Sequence, residues 1–244
     1  MIDYNGEAGT YDVSRGGEAR AAAAAEAVER LLPAGTRTLV DVACGTGIVT
    51  TRLCRPTRSV LGVDRSQGMV ELASGRLPLG VVLGDAARLP IGSARTDAVV
   101  LIWLLHLLSD PAPVLAEGAR VLRGGGVLVT TVDKDQAAFS IASDVAEVTA
   151  PLRRKYAPRA ADGFDRVVEL GAGHGLRPVG ETGFAGIGQG RSPRQWRERI
   201  GAGRFPWSRE ARPEEIAWLC RDLASLPDQD IARPDPLYRL VALA

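Results

Sequence analysis

Strand-length runs of apolar residues recur along the first half of the chain. Each is followed by a stretch whose apolar residues return at helical spacing. Thr38–Ala43, Ser59–Val63, Leu79–Leu83, Asp97–Ile102 and Val127–Val132 are the runs. Their hydrophobicity is near-continuous rather than alternating, as expected of strands covered by helices on both faces. The intervening patterns predict helices from about Thr46 to Cys54, from Ser66 to Arg76, and from Asp110-Pro111 to Leu122, where Gly124-Gly125-Gly126 is expected to end the last one. Strand and helix in alternation predict an α/β fold, a doubly wound parallel sheet with crossover helices.

Beyond Asp133 the pattern loosens. It predicts a helical insertion over Gln136–Tyr156, a helix over Gly163–Gly173, and strands near Arg177–Gly180 and Leu237–Ala242 that complete the sheet. Gly183 to Arg212 is rich in glycine and arginine, with Trp196, Phe205 and Trp207 interspersed. Ser192-Pro193 and Arg212-Pro213 place proline in a first helical turn, so two short helices are expected there, over the open edge of the sheet.

Composition narrows the function classes. The 244 residues hold 30 Lys and Arg against 29 Asp and Glu, a net charge of +1 that exerts no general pull on nucleic acid or an anionic membrane. Cys44, Cys54 and Cys220 form no CxxC or Cys/His pair, which predicts neither a disulfide framework nor a metal site and points to a reducing cytoplasm. Asp3, Glu7 and Asp12 at the amino end do not suit a secretory signal. The longest apolar run, Ala98 to Leu108, falls well short of the about 20 residues of a membrane span.

Candidate chemistry begins at Asp41-Val42-Ala43-Cys44-Gly45-Thr46-Gly47, directly after the first strand. Glycines there let the backbone approach a ligand, and the amino end of the next helix presents free N–H groups. The third glycine of a dinucleotide fingerprint is missing, since Thr50 stands in its place. Asp64 closes the second strand, where a carboxylate can accept both ribose hydroxyls, and Gly84-Asp85-Ala86 follows the third, placing Asp85 to accept from an adenine amino group. Each feature alone is as often a turn or a helix cap as a ligand site. Three in order along successive parallel strands point to an adenosine cofactor.

With these residues in place the chain resembles the class I S-adenosylmethionine-dependent methyltransferases, in their small-molecule, type 11-like branch. LVDVACGTG (39–47), LGVDRSQGMVELA (61–73), LGDAARLP (83–90), TDAVVLIWLLHLL (96–108) and VLRGGGVLVTTV (121–132) carry the resemblance, over about residues 20 to 133. It implies a Rossmann-like sheet of about seven strands with an antiparallel last strand and a helical cap. It also implies a single domain over 1–244: cap helices in 1–34, a cofactor-binding core in 35–133, and inserted cap elements in 134–160 and 185–232. Within that core Gly45 and Gly47 would pass beneath the methionine part of S-adenosylmethionine, with Asp41, Ala43 and Thr46 beside them. Asp64 and Arg65 would take the ribose, Met69 would pack near the adenine, and Gly84, Asp85, Ala86 and Leu101 would complete its surroundings. Ala43 departs from the family, many of whose members have glycine there. Tyr4, Tyr11-Asp12 and Arg15 resemble a segment that the family lays over its cofactor, so Tyr11 and Arg15 are expected to close the site.

A sulfonium methyl is already a good electrophile, so alignment and exclusion of water carry most of the work and no metal is implied. His106, after the fourth strand, is the candidate general base, while His174 stands near a helix end. Trp103, Leu105 and the later aromatics suggest a hydrophobic pocket for a small or medium organic acceptor. No Asn-Pro-Pro-Tyr-like tetrapeptide follows the fourth strand, no tyrosine precedes a lysine by four, and neither lysine follows a GxxxxG. A non-methylating reaction of the same cofactor, or an RNA or protein substrate bound through the arginines of 191–212, are the competing readings. A monomer or homodimer is expected.

Overall fold

In the computed structural model residue 9, residues 11–156 and residues 160–244 are described. The chain divides into two units: one takes the residues up to Lys134, with Ala161–Phe184 and Tyr238–Ala244, and the other takes Asp135–Ala160 and Ala185–Leu237.

The first unit contains the sheet. Its strands are β1 (Thr38–Val42), β2 (Ser59–Asp64), β3 (Val81–Leu83), β4 (Thr96–Leu101), β5 (Leu122–Val132), β6 (Pro178–Ala185) and β7 (Leu237–Leu243), in the order β3-β2-β1-β4-β5-β7-β6. The first five pair in parallel, and β7 runs antiparallel to β5 with Thr130 opposite Val241. The helices are α1 (Gly17–Leu31), α2 (Thr50–Leu53), α3 (Gln67–Ser74), α4 (Ala112–Val121) and α6 (Phe164–Ala172), with α5 (Asp144–Lys155) in the second unit.

Register places the site. Asp41 of β1 lies opposite Gly62 of β2, and Asp64 at the end of β2 lies opposite Leu83 at the end of β3. On its other side β1 pairs with β4, Asp41 opposite Val100. The sheet therefore winds away from β1 in both directions, and open α/β sheets bind ligands at the carboxyl ends of the strands beside such a reversal. Beneath it Leu39, Val99, Leu101, Leu105, Leu115 and Leu128 are almost wholly buried. The alanine run of α1 buries Ala21, Ala24, Ala25 and Ala27.

Three expectations are revised. The helix expected from Thr46 shrinks to α2, because Gly45 and Gly47 sit at φ +56° and +75°, outside helical geometry. The three glycines at 124–126 do not end a helix; α4 stops at Val121 and they lie inside β5, beside an irregular register between Thr96 and Ala98 of β4. The segment after Gly183 forms three helices rather than two, α7 (Pro193–Gly201), α8 (Pro206–Glu210) and α9 (Pro213–Ser225).

Those helices and α5 build the second unit's own core from Val145, Trp196, Ile200, Trp207, Leu219 and Leu223, against which Phe139 and Phe205 pack. Trp196 stacks on Phe205 at 5.3 Å between ring centroids. The buried side chain of Glu215 accepts from Lys155, Tyr156 and Arg212, which hold its carboxyl below the usual range.

Gly62 shows how tightly β1 and β2 are joined. A Cβ there would stand 2.8 Å from Cys44 Sγ and 3.0 Å from Leu77 Cδ1. Gly62→Ala is expected to cost about 1–3 kcal/mol in urea denaturation through overpacking. Most of that loss should return in a Cys44→Ala background, which removes the closest atom; equal costs in both backgrounds would disprove the contact.

Candidate active site

A cavity of about 500 Å³ opens at the carboxyl ends of β1, β2, β3 and β4, entirely within the first unit. Its floor is the turn after β1. The N–H groups of Ala43 and Cys44 both donate to Val63 O (2.7 and 3.2 Å), which bends the chain toward β2. Ala43, at φ +60°, takes a left-handed conformation that costs an L-residue about 1–2 kcal/mol and that glycine adopts freely. That explains the glycine found there in the family it resembles.

Asp64 locks the turn. Its Oδ2 accepts from Gly45 N–H at 2.8 Å and its Oδ1 from Ser66 N–H at 2.9 Å, while Ser66 Oγ caps α3 by accepting from Met69 N–H. One carboxylate thus joins the glycine turn of β1 to the helix start after β2. Gly47 lies below, where a Cβ would meet that of Ala73 at 3.3 Å. Asp41, buried beneath the turn, accepts from Thr50 Oγ1 at 2.5 Å, and burial pushes its carboxyl up to about 7.

The amino-terminal segment is pinned over this floor. Thr46 Oγ1 donates to Asp12 Oδ1 at 2.6 Å, and Arg76 pairs with Asp12 Oδ2 at 2.8 Å. Tyr11 is thereby held against the cavity, with the Arg15 guanidinium 5.4 Å from its ring centre. Across the cavity Asp85 Oδ1 accepts from Ala87 N–H at 2.9 Å, and Ile102, Trp103, Leu104, Leu107 and Leu108 form an apolar wall.

Of the residues expected from sequence, Tyr11, Asp41, Ala43, Gly45, Thr46, Asp64, Arg65, Met69, Gly84, Asp85 and Ala86 line this one cavity. Arg15, Gly47, Leu101 and His106 are not among the lining residues. Leu101 and Leu105 are fully buried in the core, because β4 is covered on both sides. His106 fits a general base poorly. It is half-buried in a 3₁₀ turn (Leu105–Leu107), its Nδ1 has no partner, and burial together with Lys134, Arg15 and Arg20 pushes it down to about 3. His174 is exposed past the end of α6. Trp196, Phe205 and Trp207, expected to help form an acceptor pocket, pack in the second unit's core. Tyr4 lies outside the described residues. Sequence reasoning missed Ile48, Ile102 and Leu104, apolar residues whose only signal was their place after a strand end, and Pro113 in the first turn of α4.

Among the described residues no group of His, Cys, Asp and Glu is arranged to hold a metal ion. No described helix is long and apolar enough to cross a membrane.

Comparison with known proteins agrees with this geometry. Residues 40–130 match the family described as "Methyltransferase domain". The uncharacterized methyltransferase Mb3374 of Mycobacterium bovis is 40% identical over 104 residues, 42% of each chain. The demethylmenaquinone methyltransferase of Corynebacterium kroppenstedtii is 38% identical over 101 residues, 41% of this chain and 43% of that one. The matched stretch spans under half the length of these relatives. The solved structure of BH2331 from Bacillus halodurans shares the fold with a TM-score of 0.58 at 19% identity, covering 90% of this chain and 96% of that one. Residues 40–130 are thus similar to a methyltransferase domain, in agreement with the resemblance seen in the sequence.

Asp41 makes stability depend on pH. Its ordinary value of 3.8 rises to about 7 on folding, so between about pH 4 and 7 the native state holds the proton more tightly than the unfolded chain. This contribution therefore falls as pH rises through that window and levels off above it. Asp41→Asn, which still accepts from Thr50, is expected to flatten the fall in Tm between pH 4.5 and 8. Parallel profiles for the two proteins would exclude Asp41 as the titrating group.

Proposed function

We propose that the protein transfers the methyl group of S-adenosylmethionine to a small or medium organic acceptor with an apolar body. The observation that carries this reading is the convergence of Gly45, Asp64 and Asp85, from the ends of three successive parallel strands, on one cavity. The residues suit the cofactor's chemistry. Each oxygen of Asp64 spends one acceptor site on a backbone amide and keeps another, so the pair can still take two ribose hydroxyls. Asp64 and Asp85 give this end a negative character that matches a sulfonium and an ammonium, and Met69 and Ala86 offer an adenine apolar surface.

When bound, the cofactor supplies an electrophilic methyl carbon, and the remaining work falls to the protein. The Asp64 clamp presents the bare backbone of Gly45, Tyr11 covers the opening, and the wall from Ile102 to Leu108 excludes water from the acceptor side. Burial and the neighbouring cations lower His106 and weaken it as a base, so we expect the acceptor's nucleophilic atom to arrive with its lone pair free or to lose its proton to solvent. The near-neutral charge and the burial of Trp196 and Trp207 favour small molecules over nucleic acid as acceptors. The similarity to a demethylmenaquinone methyltransferase supports an apolar acceptor.

The ribose assignment is tested with Asp64→Asn. Asp64→Ala would strip the acceptors from two backbone amides, at about 1–3 kcal/mol each, and mix binding with folding. The asparagine variant keeps one of the two amide contacts and turns an NH2 toward the other, so its Tm is followed beside its affinity, and it should bind S-adenosylhomocysteine at least tenfold more weakly by calorimetry. Unchanged affinity refutes the assignment, and uptake of a nicotinamide dinucleotide by the wild-type protein in preference refutes the whole reading.

A further inference from the structure

The side of the cavity formed by Trp103 carries an unusual cluster. Arg20, on the inward face of α1, is only 8% exposed, and its guanidinium lies 3.4 Å from the centre of the Trp103 ring. Phe184 and Tyr238 close around that ring edge-on at 5.8 and 5.7 Å. Arg20 Nη1 donates to Arg15 O at 2.6 Å, and Tyr238 bonds its side chain, but its Nε is buried without a partner and it makes no ion pair among the described residues. Trp103 Nε1 and His106 Nδ1 are likewise buried and unpartnered.

A buried cation without an anion is expensive, and the Trp103 and Tyr238 rings that Arg20 lies over offset only part of that cost. Trp103 itself is held at φ +56°, a conformation costly for so large a residue, and its backbone N–H donates to Thr131 Oγ1 at 2.9 Å. Trp103 lines the cavity, so this charge stands directly behind the acceptor wall. Arg15 and Lys134 add to it, as their effect on His106 shows. Tyr11 feels Arg15 and Arg20 as well as Asp64 and Asp12. The cavity is thus divided, with carboxylates under the glycine turn and positive charge behind Trp103. Asp110 at the rim faces Arg166 at 3.6 Å.

We propose that the acceptor is an organic acid with an apolar body, and that its carboxylate is received beside Trp103 by the Arg20 guanidinium and the Trp103 indole N–H. The proposal rests on the methyl-transfer reading for its word acceptor, though the anion site stands on its own residues. Both donors are shielded from solvent, so the acid must displace the edge of the Trp103 ring to reach them. The ligand then repays the desolvation that the fold has left open, since a charge-assisted bond in a dry site is far stronger than one at the surface.

Three matched pairs serve as probes: benzoate and benzamide, indole-3-acetate and indole-3-acetamide, 4-phenylbutyrate and 4-phenylbutyramide. They are titrated by calorimetry with and without S-adenosylhomocysteine. At least one acid should bind tenfold or more tightly than its amide and raise Tm. Arg20→Met should abolish the preference, its own Tm being followed so that lost folding is not read as lost binding, and Arg20→Lys should keep part of the preference. No acid preference in any pair, including no binding at all, overturns the proposal, as does a preference that survives Arg20→Met. S-adenosylhomocysteine binding without acid preference sinks the anion site alone. Acid preference without nucleoside binding sinks the methyl-transfer reading alone.

Discussion

The carboxylate of Asp64 is the contact on which the site depends. It takes one amide from the turn after β1 and one from the start of α3, so it fixes two loops that no other strand pairing would hold. Parallel strands set their own registers but leave their carboxyl ends free, and a glycine-rich turn has the most conformational entropy to lose. A single charged acceptor shared between two backbone donors removes that freedom with bonds stronger than neutral ones. The residue expected to bind a ribose is therefore also the one that shapes the surface beneath it.

The same economy appears on the other side of the turn. Thr46 and Arg76 both hold Asp12, so the cover of the cavity is fastened to its floor and to the helix after β2. Tyr11 occupies its place because its neighbour is tied down. Binding a ligand under such a cover costs less ordering than closing a free terminus would.

Much of this was legible in the sequence. The apolar runs located five strands, because buried parallel strands have a pattern that surface segments do not imitate. Asp64 and Asp85 could be placed beside the cavity because they follow successive buried strands, whose carboxyl ends share one edge of the sheet. Leu101 and Leu105 were misplaced because a strand end and the turn after it share one hydrophobic vocabulary, and only the fold decides which side chain meets a cavity and which meets a helix. The three glycines at 124–126 misled because glycine marks both a helix end and an irregular strand. The second unit was not legible as a core of its own, since Trp196, Phe205 and Trp207 come together only through helix packing. Nor was Arg20. An arginine inside an alanine-rich helix reads as a solvated position, and nothing local announces that its helix turns it inward.

That inward arginine alters how the histidine beside it should be understood. A base needs a protonated form the protein can tolerate, and His106 sits where burial and three cations oppose it. The charges that weaken it as a base are those that suit the region for an anion. Under the glycine turn burial, with Asp64 adding to it, raises Asp41, and the carboxylates there suit a cation. A donor with positive charge and an acceptor with negative charge would each meet its complement around one cavity, beside an apolar wall that keeps water out. Electrostatics alone would then orient both partners before any contact at the reacting atoms is made.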